Sequence, residues 1–401
     1  MNAFPLRPVW AVADEVRQVI DPADVAGDVV HYNIPALEAT GEPTVEPASD
    51  IKSGKLLLRG DEVIISRLNP RKSRVVRTRP HSLPILASTE FVPLRPVGCD
   101  ARFLTYCLLS ETTRQLLDSE VRSVTRSHQR VDPLNISRLA IPSPELDEQR
   151  RIAAFLDDQV GRLNTVIDLR ERQARLLESR ATAHAESLLR PAQGWVEVPA
   201  RHLVSEVAVG IVIQPAALYT HFTDGVPAVR GTDISPGLMN PENLIRISPE
   251  GHAANQRSRL RSGDVLVVRS GRAGAACRVP EWLVDGNCID VVIVRSGPGA
   301  DAGYLEHSIN SPRAQESISE HSTGAIQRHF GVEAMRALPL VRRPVAEQAA
   351  IAAELDRGRR EHERAVNLVD ASKGKLIERK QALITAAVTG QFDVTTARAV
   401  A

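Results

Sequence analysis

Aromatic residues are scarce in this sequence: Phe, Trp and Tyr together make up 3% of its 401 residues. Proteins that grip single-stranded nucleic acid stack successive bases on aromatic rings, so the composition argues against that class. Cysteine is scarce too. The four present, Cys99, Cys107, Cys277 and Cys288, form no CxxC pair and have no histidine spacing beside them that suggests zinc. They fit reduced core thiols in a cytoplasmic protein. No signal peptide is visible, and no apolar run approaches the ~18 residues of a membrane helix. The expected location is the cytoplasm, without membrane contact. An excess of either charge is missing as well: 50 Lys and Arg face 49 Asp and Glu, a net +1. That balance predicts no strong global field.

Catalytic constellations are also missing. There is no GxxxxGK[ST]; Gly54-Lys55-Leu56 lacks the upstream glycine and the Ser or Thr. There is no GxGxxG and no HExxH. Asn69-Pro70 is followed by Arg71-Lys72, not by the Pro-aromatic pair with which amino-methyltransferases hold a flipped base. Gly271-Arg272-Ala273-Gly274-Ala275 reads as a glycine-containing turn more readily than as a phosphate cradle. No catalytic residue, no metal ligand and no cofactor site is expected in this chain.

What is present is a repeat. Glu148-Gln149-Arg150-Arg151-Ile152-Ala153-Ala154-Phe155-Leu156-Asp157 returns as Glu347-Gln348-Ala349-Ala350-Ile351-Ala352-Ala353-Glu354-Leu355-Asp356, identical at seven of ten positions and offset by 199. Each copy opens a long helical run. The first run has an apolar stripe at Leu156, Val160, Leu163, Ile167, Ala174, Leu177, Ala181 and Leu188, interrupted by Arg170 and His184. Spacings of three and four mark a coiled-coil seam. The second stripe is rougher: Ile351, Leu355, Val366, Val369, Leu376, Leu383 and Ala387, with His362, Lys373 and Lys380 in it and Leu368, Ile377 and Ile384 widening it. Ser143-Pro144 reads as the start of the first helix and Pro344 as that of the second. Gly390 reads as the cap that ends the second. If residues 148–189 form one helix, it is about 63 Å long.

A length of 401 residues and 43% hydrophobic content support several cores. The predicted fold is α+β: two globular α/β units, residues 1–143 and 195–340, separated by two long helices, residues 144–190 and 344–391. The helices are expected to pair as an antiparallel coiled coil and act as a rigid spacer. Val9-Trp10-Ala11-Val12 and Val63-Ile64-Ile65 read as strands, the latter after a turn at Arg59-Gly60-Asp61. A helix is expected from Phe103 through Leu117. The second unit echoes the first: Gly60-Asp61 matches Gly263-Asp264, Asp100-Ala101 matches Asp301-Ala302, and Gln129-Arg130 matches Gln327-Arg328.

Local charge is uneven. Residues 51–80 carry nine Lys and Arg against two acids, residues 257–278 carry six Arg against Asp264, and residues 11–50 carry nine acids against Arg17. Arg67, Asn69, Arg71, Lys72 and Arg74 follow a strand and must turn at Pro70. Arg269 and Arg272 occupy the corresponding place in the second unit. An arginine fork suits guanine edges or phosphate, and an amide suits adenine. The candidate DNA-binding residues are therefore these, with Gln129, Arg130, Arg230, Gln327 and Arg328. Two similar units on a spacer suit two half-sites on one duplex.

With these segments in view, the chain resembles the specificity subunit of a type I restriction–modification system. The resemblance rests on Ile141-Pro142-Ser143-Pro144 with the first copy of the repeat, and on Arg379 through Val394. Ile51-Lys52-Ser53-Gly54-Lys55 with Ile64 through Pro70 is similar to one class of target-recognition domain in that family. Pro227-Ala228-Val229-Arg230-Gly231-Thr232-Asp233-Ile234 is similar to another. The resemblance implies that each unit recognises one half of a split, asymmetric double-stranded DNA site. It implies that the helices dock two methyltransferase subunits, and that restriction and motor subunits join them. S-adenosylmethionine, ATP and Mg belong on those partners. Two other readings compete: a coiled-coil scaffold that binds proteins and not DNA, and the recognition part of a split restriction–methyltransferase.

Overall fold

The computed structural model describes residues 4–121, 129–191, 195–221, 224–242, 244–321 and 329–394. It divides into two compact units, Met1–Glu171 with Asp370–Ala401, and Arg172–Val369. The long helices run Leu146–Leu189 and Val345–Val388. Each unit thus holds the start of one long helix and the end of the other.

The first unit is built on a four-stranded antiparallel sheet in the order Ala13–Glu15, Phe91–Pro96, Val63–Ser66, Val75–Arg77. A five-stranded sheet adds Val19–Ile20, Lys55–Leu58, Ile85–Ser88, Asp28–Tyr32 and Thr44–Pro47, with one parallel pair, Asp28–Tyr32 beside Ile85–Ser88. Leu6–Pro8 pairs with Ala140–Pro142. The helices Ala101–Leu109 and Glu111–Ser119 complete the unit's core with Ile152, Ala153 and Leu156 of the first long helix and Ile384, Ala387 and Val388 of the second.

The second unit repeats this plan. Its four-stranded sheet runs Val204–Val209, Val291–Ser296, Asp264–Val268, Ala276–Arg278. A parallel pair recurs as Val226–Arg230 beside Asn287–Ile289. Val196–Pro199 pairs with Pro339–Arg342, and the helices Ala302–Asn310 and Pro312–His321 follow. Asp100 and Asp301 cap equivalent helices: the Asp100 carboxylate accepts from the Arg102 and Phe103 N–H groups, and the Asp301 carboxylate from that of Tyr304.

The ten-residue repeat has a structural reading at each buried position. Gln149, Ile152, Ala153 and Leu156 share one buried face of the first long helix, and Gln348, Ile351, Ala352 and Leu355 share one face of the second. Each glutamine works as a staple. The Gln149 side-chain oxygen accepts from the Asp100 N–H at 2.9 Å, and its amide donates to the Pro144 carbonyl at 2.8 Å. Gln348 accepts from Asp301 at 2.9 Å and donates to Arg343 at 2.7 Å and Gly299 at 3.0 Å. The last residue of the motif also has a fixed partner. The Tyr106 hydroxyl donates to Asp157 at 2.8 Å, and at the equivalent position His307 Nε2 lies 2.9 Å from Asp356.

The long helices pack together in antiparallel sense within each unit, since partners rise in number on one helix as they fall on the other. Asn164 meets Lys380 in the first unit; Glu178 meets His362 and His184 meets Glu354 in the second. The second unit closes with Arg343, whose guanidinium donates to the carbonyls of Leu188 and Arg190 and lies 5.5 Å from the Trp195 ring. A cation at these last carbonyls satisfies acceptors that a helix end leaves open. Gly390, with φ 75°, ends the second long helix in the first unit, close against Phe4.

Several expectations are corrected. The first long helix starts at Leu146, not at Pro144, because the Glu145 carbonyl takes the first N–H bonds and Pro144 lends its carbonyl to Gln149. Val9–Ala11 is a 3-10 turn rather than a strand. The helix expected from Phe103 to Leu117 is two helices, broken at Ser110, whose extended backbone lets its hydroxyl cap the second. Leu368 and Ile377 do not widen the seam but face solvent, and Ala185 takes the seam position expected of His184. The match of Gly60-Asp61 to Gly263-Asp264 shifts by one. Register equates Glu62 with Asp264, each buried at the start of a strand and facing Arg95 or Arg295 across the ladder.

The glutamine staples generate a prediction. Gln149→Met leaves the Asp100 N–H buried without an acceptor, at a cost of about 1–3 kcal/mol. Hydrogen exchange is expected to speed up at the Asp100 amide and remain slow at Asp301. Gln348→Met is expected to give the reverse.

Candidate nucleic-acid interface

The basic residues of the first unit lie in a hairpin loop between Val63–Ser66 and Val75–Arg77. The Ser66 N–H donates to the Arg74 carbonyl at 2.9 Å and closes the loop. Pro70–Lys72 form a 3-10 turn flanked by Asn69 and Ser73, both in the left-handed region. A second segment docks on this loop. The Asn69 N–H donates to the Gln129 carbonyl at 2.7 Å, the Val131 N–H donates to the Arg67 carbonyl at 3.0 Å, and Leu68 bridges Arg130. The fold thus joins Arg67, Asn69, Arg71, Lys72, Arg74, Gln129 and Arg130 in one patch.

Two carboxylates organise that patch, and neither is marked by any motif in the sequence. Glu90 accepts from Arg67 at 3.2 Å and from Arg130 at 2.9 Å, and these partners, Arg130 first, hold its carboxyl below the ordinary range despite partial burial. Glu38 accepts from Lys72 at 2.7 Å and from Arg74 Nε at 2.9 Å. The Lys72 ammonium and then the Arg74 guanidinium lower its carboxyl to about 2. Arg74 also donates to the Leu68 carbonyl, so its guanidinium braces the loop from within. Arg71 and Lys72 are exposed. Each acid neutralises one cation of its pair, and the patch keeps a positive balance.

In the second unit Arg269 and Arg272 lie in the equivalent hairpin loop, between Asp264–Val268 and Ala276–Arg278. Gly271 and Gly274 both have positive φ there, which sets the turn. The Phe330 N–H donates to the Arg269 carbonyl at 2.9 Å, as Val131 does to Arg67. Arg269 pairs with Asp290, the positional equivalent of Glu90. Arg272 donates to the Ser235 hydroxyl at 3.1 Å. Arg230 ends the strand beside Ile289 and donates to Asp233 at 3.2 Å. Arg230, Arg269 and Arg272 therefore gather at one edge of this unit. Gln327 and Arg328 lie outside the described residues. The Glu90–Asp290 pair carried a signal in the sequence, since acids recur at an offset of 200 just before the two strands starting Phe91 and Val291.

Among the described residues one cluster has metal-like spacing, Glu306, His307 and Asp356. Two guanidiniums already fill it. Arg278 donates to Glu306 and Asp356 at 2.6 and 2.7 Å, and Arg359 donates to the same two at 2.7 and 3.1 Å. The cluster is an ion-pair network that ties the second long helix to its unit. Among the described residues no helix is long and apolar enough to cross a membrane.

No protein-family model matches the chain, and no curated protein matches it. Solved structures do. A chain from a study of complex assembly and conformational transition of the type I R-M system is similar at TM-score 0.77 and 18% identity, over 98% of this chain and 99% of that one. The HsdS subunit from Thermoanaerobacter tengcongensis matches at TM-score 0.48 and 18% identity, over 97% of each chain. A type I restriction–modification S subunit from M. genitalium matches at 0.40 and 10%, over 96% of each. The first of these likenesses establishes a common fold.

The loop charges generate a prediction with a definite sign. The depressed carboxyl of Glu38 contributes stability that is present above pH 4.5 and lost as pH falls toward about 2. In carbon NMR the Glu38 carboxyl is expected to titrate at about 2, and near 4.5 once Lys72 and Arg74 are replaced by Ala.

Proposed function

We propose that this chain is the DNA-recognition subunit of a type I restriction–modification system. One observation carries the reading: the same hairpin loop, with an arginine held by an acid from the neighbouring loop, occurs once in each unit of a duplicated fold. A held guanidinium is a pre-organised fork for guanine or phosphate. The likeness of fold to a chain of a type I R-M system supports the same assignment.

In this reading residues 1–143 and 195–340 are the two recognition domains, each reading one half of a split double-stranded site. The long helices, residues 144–190 and 344–391, dock methyltransferase subunits. S-adenosylmethionine and the methylation chemistry belong to those partners, and ATP, Mg and cleavage belong to restriction subunits. This chain supplies selectivity and no catalytic group. Exposed Arg71 and Lys72 neutralise phosphates. Arg67, Asn69, Gln129 and Arg130 in one unit, and Arg230, Arg269, Arg272, Gln327 and Arg328 in the other, read bases or backbone beside them.

The test is a methylome. The chain is expressed with its neighbouring methyltransferase in a host free of DNA methylation, and modified bases are mapped. A two-part motif with methylated adenine in both halves is expected, and exchange of residues 195–340 should change one half only. An assembled complex that leaves no sequence-specific mark would sink the proposal and favour a protein scaffold. Methylation by the purified chain alone would favour a split enzyme.

Single substitutions separate the roles. Arg71→Ala and Lys72→Ala are each expected to weaken binding to all sequences and to reduce the salt slope by about 0.9. Arg67→Ala and Arg269→Ala are expected to cost about 1–3 kcal/mol of discrimination, each in its own half-site. Competition binding against altered sites measures both effects.

A further inference from the structure

The edge of the second unit that gathers the arginines also carries an apolar tip. Ile213 is 82% exposed and its neighbour Val212 is 48% exposed. Their loop is nevertheless tightly held. Before it, the Gly210 N–H donates to the Val291 carbonyl and the Ile211 N–H to that of Cys288, both at 2.9 Å. A Cβ at Gly210 would come within 2.4 Å of the Cys288 carbonyl oxygen, so only glycine lets the chain pass this close. After it, Gln214 adopts a left-handed backbone, φ 41°, and leads into the Pro215–Leu218 turn. A non-glycine residue in that region stores strain, and surrounding structure must hold it there.

The position of the tip is what gives it meaning. Ile211, just before it, bridges Ile289, and its carbonyl accepts from the Asp290 N–H at 3.1 Å. Ile289 is also the ladder partner of Arg230, and Asp290 holds Arg269. The base of the apolar tip, Arg230 and Arg269 thus converge on two consecutive residues. An isoleucine offers nothing to phosphate. In the major groove, where an arginine fork reads guanine, the apolar group on base edges is the thymine 5-methyl.

We infer that Ile213 contacts a thymine methyl in the half-site recognised by the second unit. The inference rests on the DNA-recognition reading above and adds a base class to it. Val212 and Ile213 are exposed and follow directly on Ile211, which is bonded to the two residues that flank Arg230 and hold Arg269, so a T·A pair lies next to the base pairs that the arginines read.

The experiment uses the chain assembled with its methyltransferase and duplexes carrying the mapped site. Each thymine of the second half-site is replaced in turn by deoxyuridine, which keeps the base pair and removes the methyl. The wild-type complex is expected to lose about fourfold in affinity at one position, the worth of one buried methyl. Ile213→Ala is expected to bind the thymine site about as weakly as the wild type binds the deoxyuridine site, with no further loss on replacement at that position. Ile213→Val should retain part of the effect.

Three outcomes overturn the inference while the DNA-recognition reading stands: a second half-site without thymine, equal sensitivity in wild type and Ile213→Ala, or a variant that keeps full selectivity and fails only to assemble with the methyltransferase. A complex with no sequence preference at all is a different failure. It removes the recognition reading and the inference with it.

Discussion

A buried glutamine at the head of each long helix fastens that helix to its globular unit. Gln149 and Gln348 are 2% and 0% exposed, and each bonds both to the N–H that opens a capped helix and to a carbonyl just before its own helix. A buried amide left without such partners is costly, so the geometry tolerates little drift. The apolar residues three, four and seven positions on then fall on the same face and complete the core. This joint explains why the ten-residue motif is the best preserved part of the duplication. Ile, Ala and Leu are core, Gln is the staple, and Asp receives Tyr106 in one unit and His307 in the other.

With the joint in place, each unit presents one hairpin loop whose arginine is held by an acid. The acid reduces net charge, yet it fixes the guanidinium in a set direction. A free arginine must give up rotamer freedom when it binds, whereas a braced one has already done so. The two patches reach this by different means. In the first unit Glu90 and Glu38 each hold two cations. In the second, Asp290 holds one arginine and Asp233 another, and Val212 and Ile213 are exposed. The two units therefore share a scaffold and differ at this edge.

Local readings failed where tertiary contacts outvoted pattern. Val9–Val12 has the composition of a strand, but the Val9 N–H is taken by Leu139 and the segment curls into a turn. The apolar run after Phe103 hides a break at Ser110, because serine serves as a cap as readily as a helix residue. Leu368 and Ile377 fit an apolar stripe by spacing and still face solvent, since a helix covered on one side buries only the narrow seam toward its partner. Glu90 escaped notice because an acid in a turn has no periodicity to read, and Glu38 because its place on the short helix Ile34–Thr40 says nothing of the hairpin loop it meets.

The duplication, the two long helices, their apolar seam and the placing of basic clusters after equivalent strands were all determined by the sequence itself. Each depends on spacing along one chain, and spacing is visible without coordinates. The pairing of Arg67 and Arg130 on one carboxylate, the docking of residues 129–131 on the Arg67 loop, and the convergence of Arg230, Arg269 and the Ile213 loop on Ile289 and Asp290 were decided only by the tertiary structure. Those contacts join residues tens of positions apart. Which of many acids and bases meet is set by how the strands register, and a linear pattern of charges holds no record of register.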